Sequence, residues 1–508
     1  MFFSQAKSQT IPNLQSQQTQ KEIQDTDVLI VGGGIAGASL ACALSSSQYF
    51  DTKDHSSQKL KKIVLLDHTK LPSMSAYRED SQNLSKDKRI PEPRVITLSP
   101  NSLRFLRSIG VLQKCNQKFI TEFHDMLVYE EMGNAYMRFG SQNRQQSSMI
   151  QFQEYLMKNL LFNEEQRQVF EESQSHMGAS VENNHLLAGL VERTQELNKC
   201  QILQRKVVKI EVPKSQSEKP IVELDDGTLI RAKLVIGSDG EKSKVREEFG
   251  IRASGYSYGQ NGLVCTVRTI RPNTIAYQRF LRTGPLALLP LWDNHSSIVW
   301  SCPPELSKDL IDVSEDKFVE LLNQALQKSS DHSLMGQIPD RVLKRNTFEL
   351  PPIIDKLETK RFAFPLSLLQ SENLAAQRVA LIGDAAHRVH PLAGQGMNIG
   401  LTGVAYLANQ VVQAKKCGLD IGDYGNVLSD YERKENINAK MMISSIEFVK
   451  ASYSGRIYGS ERIADSTLGV LRNVFIDLIQ TSNIAKYNFM NYASGNLNHP
   501  ITYEWQKN

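Results

Sequence analysis

Residues 26–44 read TDVLIVGGGIAGASLACAL, and no other stretch restricts the fold as strongly. Val28 to Val31 is an apolar run short enough for a buried strand, and the alanine-rich run after Gly37 has helical character. The glycines therefore fall at a strand-to-helix turn, spaced Gly32-x-Gly34-x-x-Gly37. In such a pattern one glycine permits the tight turn, the next lets a pyrophosphate approach the backbone, and the third lets helix pack closely on strand. The helix N-terminus adds about half a positive charge opposite the phosphates. Glycine-rich turns also occur for packing alone, so the setting matters. IVLLD follows as a second strand and ends in Asp67, where a carboxylate can accept hydrogen bonds from ribose hydroxyls. The separation exceeds the usual ~20 residues, and the polar stretch SSSQYFDTKDHSSQKLKK, a surface insertion, accounts for the difference. This is the opening of a βαβ unit that binds a dinucleotide.

A chain of 508 residues is long for one core, so two or more lobes are expected. No apolar run approaches the roughly 18 residues of a transmembrane helix. A net charge of +4 offers no concentrated basic face for nucleic acid. The six cysteines are scattered and never form CxxC, which suggests neither zinc nor a disulfide framework. The first 21 residues carry two lysines, no acid and many Ser and Gln. They have the charge sign of an organellar transit peptide but lack its arginines, so a disordered tail and a targeting segment both remain open over residues 1–24.

Strand patterns return at ILQRKVVKIEV, at LIRAKLVIGSDG after an Asp226-Gly227 turn, and at RVALIGD. Between them, residues 255–302 read as short alternating runs of a mostly antiparallel sheet, with a turn near Trp292-Asp293-Asn294. Residues 139–177, rich in Gln, Glu and Ser, read as a variable, partly helical excursion. The chain after RVALIGD is helical in pattern. Nucleotide-binding strands thus lie at both ends, and the nucleotide domain is discontinuous.

Two further motifs carry chemistry. LVIGSDGEKSKVR runs a strand into Asp239-Gly240; an Asp-Gly turn is its simplest reading. In VALIGDAAHRVHPLAGQGMN, Gly383 and Asp384 end a strand where the carboxylate can hold a sugar or ribitol hydroxyl. Pro391, Gly394, Gln395, Gly396, Met397 and Asn398 then form a glycine-lined helix start whose amides can meet a polar ring edge. His387 and His390 are candidates for proton transfer because histidine titrates near neutrality, although structural roles are the simpler account. Two histidines without a third ligand do not suggest a metal.

These three motifs, in this order, resemble the group A flavoprotein aromatic hydroxylases of the para-hydroxybenzoate hydroxylase fold. The resemblance implies FAD, held by Gly32, Gly34, Gly37, Asp67, Asp239, Gly240, Gly383, Asp384 and the 391–398 loop. It adds Arg94, in PEPRVITLSPNSLRFLRSIGV, as the early arginine near the FAD. GYSYGQNGLVCTV, AYQRFLRTGPLALLPL, SSIVWS, VENNHLLAGL and RVALIGDAAHRVHPLAGQGMNIGL are similar more narrowly to the ubiquinone-biosynthesis hydroxylases, including the eukaryotic mitochondrial ring-carbon-5 enzymes. The expected fold is α/β: a discontinuous Rossmann-type FAD-binding domain (25–138, which also holds the start of the substrate domain, 178–255 and 372–450), an inserted mostly antiparallel substrate sheet (256–371), the excursion 139–177, and C-terminal helices (451–508).

The family's chemistry would then apply. Reduced FAD reacts with O2 to a flavin hydroperoxide, whose distal oxygen passes to the ring of a polyprenylated phenol or benzoate. Arg361 to Leu366 resembles the segment passing near the flavin, which makes Phe364, Pro365 and Leu366 candidates for a substrate channel or for plain core packing. Electrons would come from a ferredoxin and its reductase or from NAD(P)H; Lys242, Lys244 and Arg246 could meet an acidic ferredoxin or form a solvated face. The tail STLGVLRNVFIDLIQTSNIAKYNFMNYASG has apolar residues at helical spacing, suited to core docking, a partner helix or peripheral membrane contact. The implied location is the matrix side of the mitochondrial inner membrane, among other ubiquinone-biosynthesis proteins. Two rivals remain: a hydroxylase of a soluble phenol using NAD(P)H, and a non-catalytic binding protein on the same fold.

Overall fold

The computed structural model of the chain describes residues 22–51, 60–78, 89–131, 136–140, 177–327, 349–454 and 503–506. The N-terminal segment, the centre of the first polar insertion, residues 141–176 of the excursion and the apolar stretch 466–495 lie outside the described residues.

Val28 to Val31 is buried throughout, as expected of a strand with neighbours on both sides and helices over both faces. The strand Ile23–Val31 lies between Ile63–Asp67 and Leu229–Gly237 and is parallel to both. Cys200–Gln204 extends the sheet beyond Ile63–Asp67, and Val379–Leu381 extends it beyond Leu229–Gly237, again in parallel. The first strand is therefore where the strand order reverses, and such a switch point opens a crevice at the strands' carboxyl ends. The helix Ile35–Ser46 leaves that point and is buried nearly all round, because Asn183–Leu197 and Gln395–Lys416 pack against it.

A second sheet of nine strands is mostly antiparallel and is built around the 17-residue strand Ala253–Thr269. Its alternation separates two faces. Leu263, Cys265, Leu286, Leu288, Ile298 and Trp300 point to one side, where Leu310, Phe318, Leu322 and Leu326 of the helices Pro304–Asp312 and Glu315–Gln327 cover them. Val264, Val299, Ala287 and Gln278 pair in one row across four strands and face the other way. The expected turn after Trp292 is present: Asp293 and Asn294 have φ of 52° and 63°, the left-handed pair a tight hairpin needs. The segment beginning at Arg361 contributes the strand Phe362–Ser371, which pairs along the long strand. A small antiparallel sheet of Val95–Leu98, Gly178–Glu182 and Ile120–Phe123 stands beside these two.

Near its end the chain returns to the nucleotide-binding half. Tyr503 and Trp505 are buried, stacked at 4.9 Å and set 6.1 and 5.8 Å from the Phe105 ring. The Glu504 amide donates to Asn409 Oδ1 at 3.0 Å, on the helix Gln395–Lys416. Truncating a buried aromatic costs about 3 kcal/mol or more. Trp505→Ala is therefore expected to lower the denaturation midpoint by about that stability, measured by chemical unfolding against the unaltered protein.

Candidate active site

The glycine turn is set by backbone crowding. A Cβ at Gly32, whose φ is 106°, would lie 2.3 Å from the Ser238 carbonyl oxygen, and one at Gly37 would lie 2.0 Å from the Gly32 oxygen. Gly34 differs: a Cβ there would meet nothing within 4 Å. Packing does not require this glycine. Its bareness leaves the start of Ile35–Ser46 open, and no side chain caps that helix. Unsatisfied amides at an open helix start fit a pyrophosphate. Asp67 braces the turn, because its Oδ2 accepts the Gly33 N–H at 2.7 Å while Oδ1 accepts from Thr69 N and Oγ1, both at 2.8 Å. Beyond it a pocket of about 310 Å³ is lined by Asp67, Lys70, Leu71, Met74, Ala188 and Glu192, among others.

The second motif joins the glycine turn from the neighbouring strand. Ser238 Oγ donates toward Gly32 O at 2.6 Å and lies 3.0 Å from Val31 O, a role the sequence reading missed. Asp239 turns back into its own segment: it accepts Ser243 Oγ at 2.5 Å and the Lys244 N–H at 2.7 Å. Arg246 bonds within the chain. It donates to Ala385 O at 2.9 Å and Glu241 O at 2.6 Å, stitching the second motif to the third. Lys244 Nζ donates to Val208 O.

In the third motif Gly383 has a φ of 58°, and a Cβ there would come within 3.0 Å of Ala36 Cβ. Asp384 is exposed to the cleft. Burial by its surroundings raises its carboxyl above the ordinary range, against the opposing charges of Arg388, His387 and Arg94. Gly394 (φ 66°) caps the 22-residue helix Gln395–Lys416 without a side-chain bond; a Cβ there would meet Thr97 Oγ1. Gln395 is buried at that helix start. Asn398 Oδ1 accepts Ser99 N and Ser102 Oγ at 2.8 and 2.7 Å, and Nδ2 donates to Thr97 O at 3.1 Å. Its carboxamide is a clamp between the third motif and the Arg94 segment.

Between the motifs and the second sheet lies a cleft of about 600 Å³. One wall carries Arg94, Thr97, Asn183, Asp384, Arg388, Pro391, Gly394, Gly396 and Met397. The other carries Val264, Gln278, Ala287, Leu289, Val299, Phe362 and Phe364. Pro365 and Leu366 do not line it; Leu366 is buried. Gly240 has a φ of 86° and lies outside the lining. Neither histidine faces the cleft. His387 is buried and bonds Glu435 at 2.8 Å; burial disfavours its charged form, yet the bond to Glu435 and its charge carry the imidazole above its ordinary value. A Cβ at Gly403 would press within 2.9 Å of Glu435, so the bare glycine admits that carboxylate. His390 is buried beside Tyr258, with ring centroids 4.9 Å apart. Arg388 bonds Glu241 and reaches Ser367 Oγ at 3.2 Å.

Arg94 is held by a cluster absent from the sequence reading. Glu182, fully buried, accepts both nitrogens of Arg89 at 3.0 and 2.9 Å and the Glu92 amide at 2.8 Å. The Arg89 guanidinium sits 4.5 Å from the Tyr77 ring and 4.7 Å from Phe119. The Asn183 amide then bonds Arg94 O at 3.0 Å. His185 packs on the same two rings, accepts the Asn116 amide at 3.0 Å, and is lowered by burial and by Arg89 to about 4. It is neutral when folded, whereas an unfolded histidine protonates near 6.5. Its contribution is therefore intact above pH 6.5 and is lost as pH falls toward 4, by about 3 kcal/mol at most. His185→Gln is expected to flatten the loss of stability between pH 6.5 and 4, read from denaturation midpoints across that window.

Comparison with known proteins agrees with this geometry. Residues 85–348 and 352–416 match the family described as FAD binding domain. The human ubiquinone biosynthesis monooxygenase COQ6, mitochondrial, is 31% identical over 449 residues, covering 84% of this chain and 85% of that protein. The Caenorhabditis elegans protein of the same name is 26% identical, covering 89% of this chain and 95% of its own. Among solved structures, p-nitrophenol 4-monooxygenase PnpA from Pseudomonas putida DLL-E4 shares the fold at a TM-score of 0.61 and 17% identity, covering 93% of this chain and 99% of that one. The open glycine turn, two uncapped helix starts and Asp384 fit FAD. The chain belongs to the FAD-binding-domain family and, within it, to the COQ6-type flavin monooxygenases.

Proposed function

We propose that the chain hydroxylates the aromatic ring of a polyprenylated phenol or benzoate on the way to ubiquinone, at ring carbon 5. The observation that carries this reading is the two-walled cleft, in which the third motif and the Arg94 segment face a sheet wall of mostly small aliphatic side chains. FAD, once reduced, would supply the two electrons that activate O2, one of whose atoms goes to the ring and the other to water. The chain binds, orients and dries. Gly34 and the start of Ile35–Ser46 receive the pyrophosphate, Asp67 faces the adenosine end, and Arg94 and Asp384 lie where the ribitol and ring edge would rest. Val264, Val299, Ala287 and Leu289 give an apolar bed for the substrate ring and exclude water from it. Phe362 and Phe364, 50% and 39% exposed, stand at this cleft as apolar surface suited to a prenyl chain.

Among the described residues no helix is long and apolar enough to cross a membrane. A peripheral protein on the matrix side of the mitochondrial inner membrane fits a substrate drawn from the bilayer. In this reading its partners are other ubiquinone-biosynthesis proteins, with electrons arriving from a ferredoxin and its reductase or from NAD(P)H.

Quinone lipids from cells depleted of the protein test the reading by mass spectrometry, against the same cells re-expressing it. A prenylated precursor lacking one ring oxygen is expected to accumulate while ubiquinone falls, and the precursor's structure identifies the carbon. Unchanged quinones would leave a flavin monooxygenase with a different phenol. Asp384→Ala is expected to weaken FAD retention by about ten- to a hundredfold, read as flavin absorbance per protein after gel filtration; full occupancy would remove Asp384 from the cofactor site.

A further inference from the structure

The sheet wall of the cleft holds one side chain that its packing does not explain. Gln278 is only 6% exposed and lines the cleft. In the sheet register it sits between Ala287 on one side and Val128 on the other, and Ala276 and Phe280 precede and follow it on the same face. All four neighbours are apolar. No described residue hydrogen-bonds its carboxamide.

Other carboxamides and long polar side chains of this sheet bond within the protein. Asn273 Nδ2 bonds Ser296 Oγ at 3.3 Å, Asn261 Nδ2 bonds Ser307 Oγ at 2.8 Å, and the next residue, Arg279, turns to the helix side and donates to Ala325 O at 2.8 Å. With no protein partner, the amide must find its hydrogen bonds in the cleft, whereas leucine or methionine would complete an apolar floor without that need. The opposite wall carries the third motif and the Arg94 segment with their own polar groups, and Arg388 there is already bound to Glu241. Gln278 therefore opens into the cleft with a carboxamide that no described residue claims.

We propose that Gln278 is a specificity-determining residue that reads the phenolic hydroxyl of the ring, its Oε1 accepting the phenol O–H and its Nε2 left to donate to a neighbouring ring oxygen. The assignment rests on the ring-hydroxylation reading and adds the contact that orients the ring within it. A site built to bond a hydroxyl discriminates against the analogue lacking it, because the amide is then left unpaired.

Two probes test this on the FAD-loaded protein: 4-hydroxybenzoate carrying one isoprenyl unit at position 3, and the same benzoate without the 4-hydroxyl. Dissociation constants come from the change in flavin absorbance during titration. The unaltered protein is expected to prefer the hydroxylated probe by about tenfold or more. Gln278→Met should bring that ratio close to one, with FAD content and melting temperature unchanged and the des-hydroxy probe bound at least as well. If Gln278→Met fails to fold, Gln278→Asn, which withdraws the same carboxamide by one methylene, is read by the same ratio. A tenfold preference that survives substitution overturns the assignment, as does an unaltered protein that binds both probes equally. An unaltered protein that binds neither, together with unchanged quinone lipids in depleted cells, overturns the ring-hydroxylation reading as well.

Discussion

The approach of one backbone to another at the end of the first strand is the constraint from which the rest follows. With Gly37 pressed on the Gly32 carbonyl and Ser238 Oγ lying between Gly32 and the helix, no side chain fits at either glycine. That crowding fixes where the helix Ile35–Ser46 begins and which way its amides point. The same helix start then receives the third motif, because Gly383 lies against Ala36. Three segments separated by hundreds of residues thus take their positions from one turn. The cofactor site is a property of this crossing, and none of the three motifs would form it alone.

Most polar side chains of the motifs are spent on each other. Asp239 caps its own segment, Arg246 ties the second motif to the third, Asn398 ties the third to the Arg94 segment, and His387 is pinned to Glu435 on the helix Ser429–Ser454. The last three bonds join elements distant in sequence, so the walls hold their spacing without a ligand to organise them. Rigid walls are what a reactive cofactor demands, because catalysis by positioning fails when the reacting atoms drift by even an ångström. The uncapped start of Ile35–Ser46 is left open, and Arg94 and Asp384 are left facing the cleft. Buried pairs such as Arg89–Glu182 add little net stability over an apolar replacement; what they provide is a single placement for the Arg94 segment.

Local patterns in the sequence were enough to read the first strand, the glycine turn, the hairpin at Asp293–Asn294 and the strand ending in Asp384, since each depends on neighbouring residues and their periodicity. The helices Pro304–Asp312 and Glu315–Gln327 were not singled out, although their apolar spacing is amphipathic. Arg361 to Leu366 was read from its resemblance as a segment near the flavin, not as a strand, and the exposed phenylalanines of Phe362–Ser371 break the alternation that would have marked one. The motif residues were visible as types, but not the direction of their side chains: nothing local distinguishes an aspartate that faces the cleft, as Asp384 does, from one that caps a turn, as Asp239 does. Glu182 and Arg89 were invisible for a related reason, since their partnership spans 93 residues and leaves no local trace.

The second sheet explains how one cleft can serve both a redox cofactor and an apolar substrate. Strict alternation sends the large side chains, Trp300, Leu286 and Leu288, to the helix-covered face. The opposite face carries Ala276, Ala287, Val264 and Val299, and their small volume is what keeps the cleft open. A shift of one residue in register would exchange the two faces, closing the cleft with tryptophan and leucine and exposing valines to the helices. The paired register from Asn261 to Arg268 against His295 to Cys302 is therefore as decisive for the site as the glycines. One wall determines where the cofactor lies, the other how much room remains beside it, and the reaction needs both.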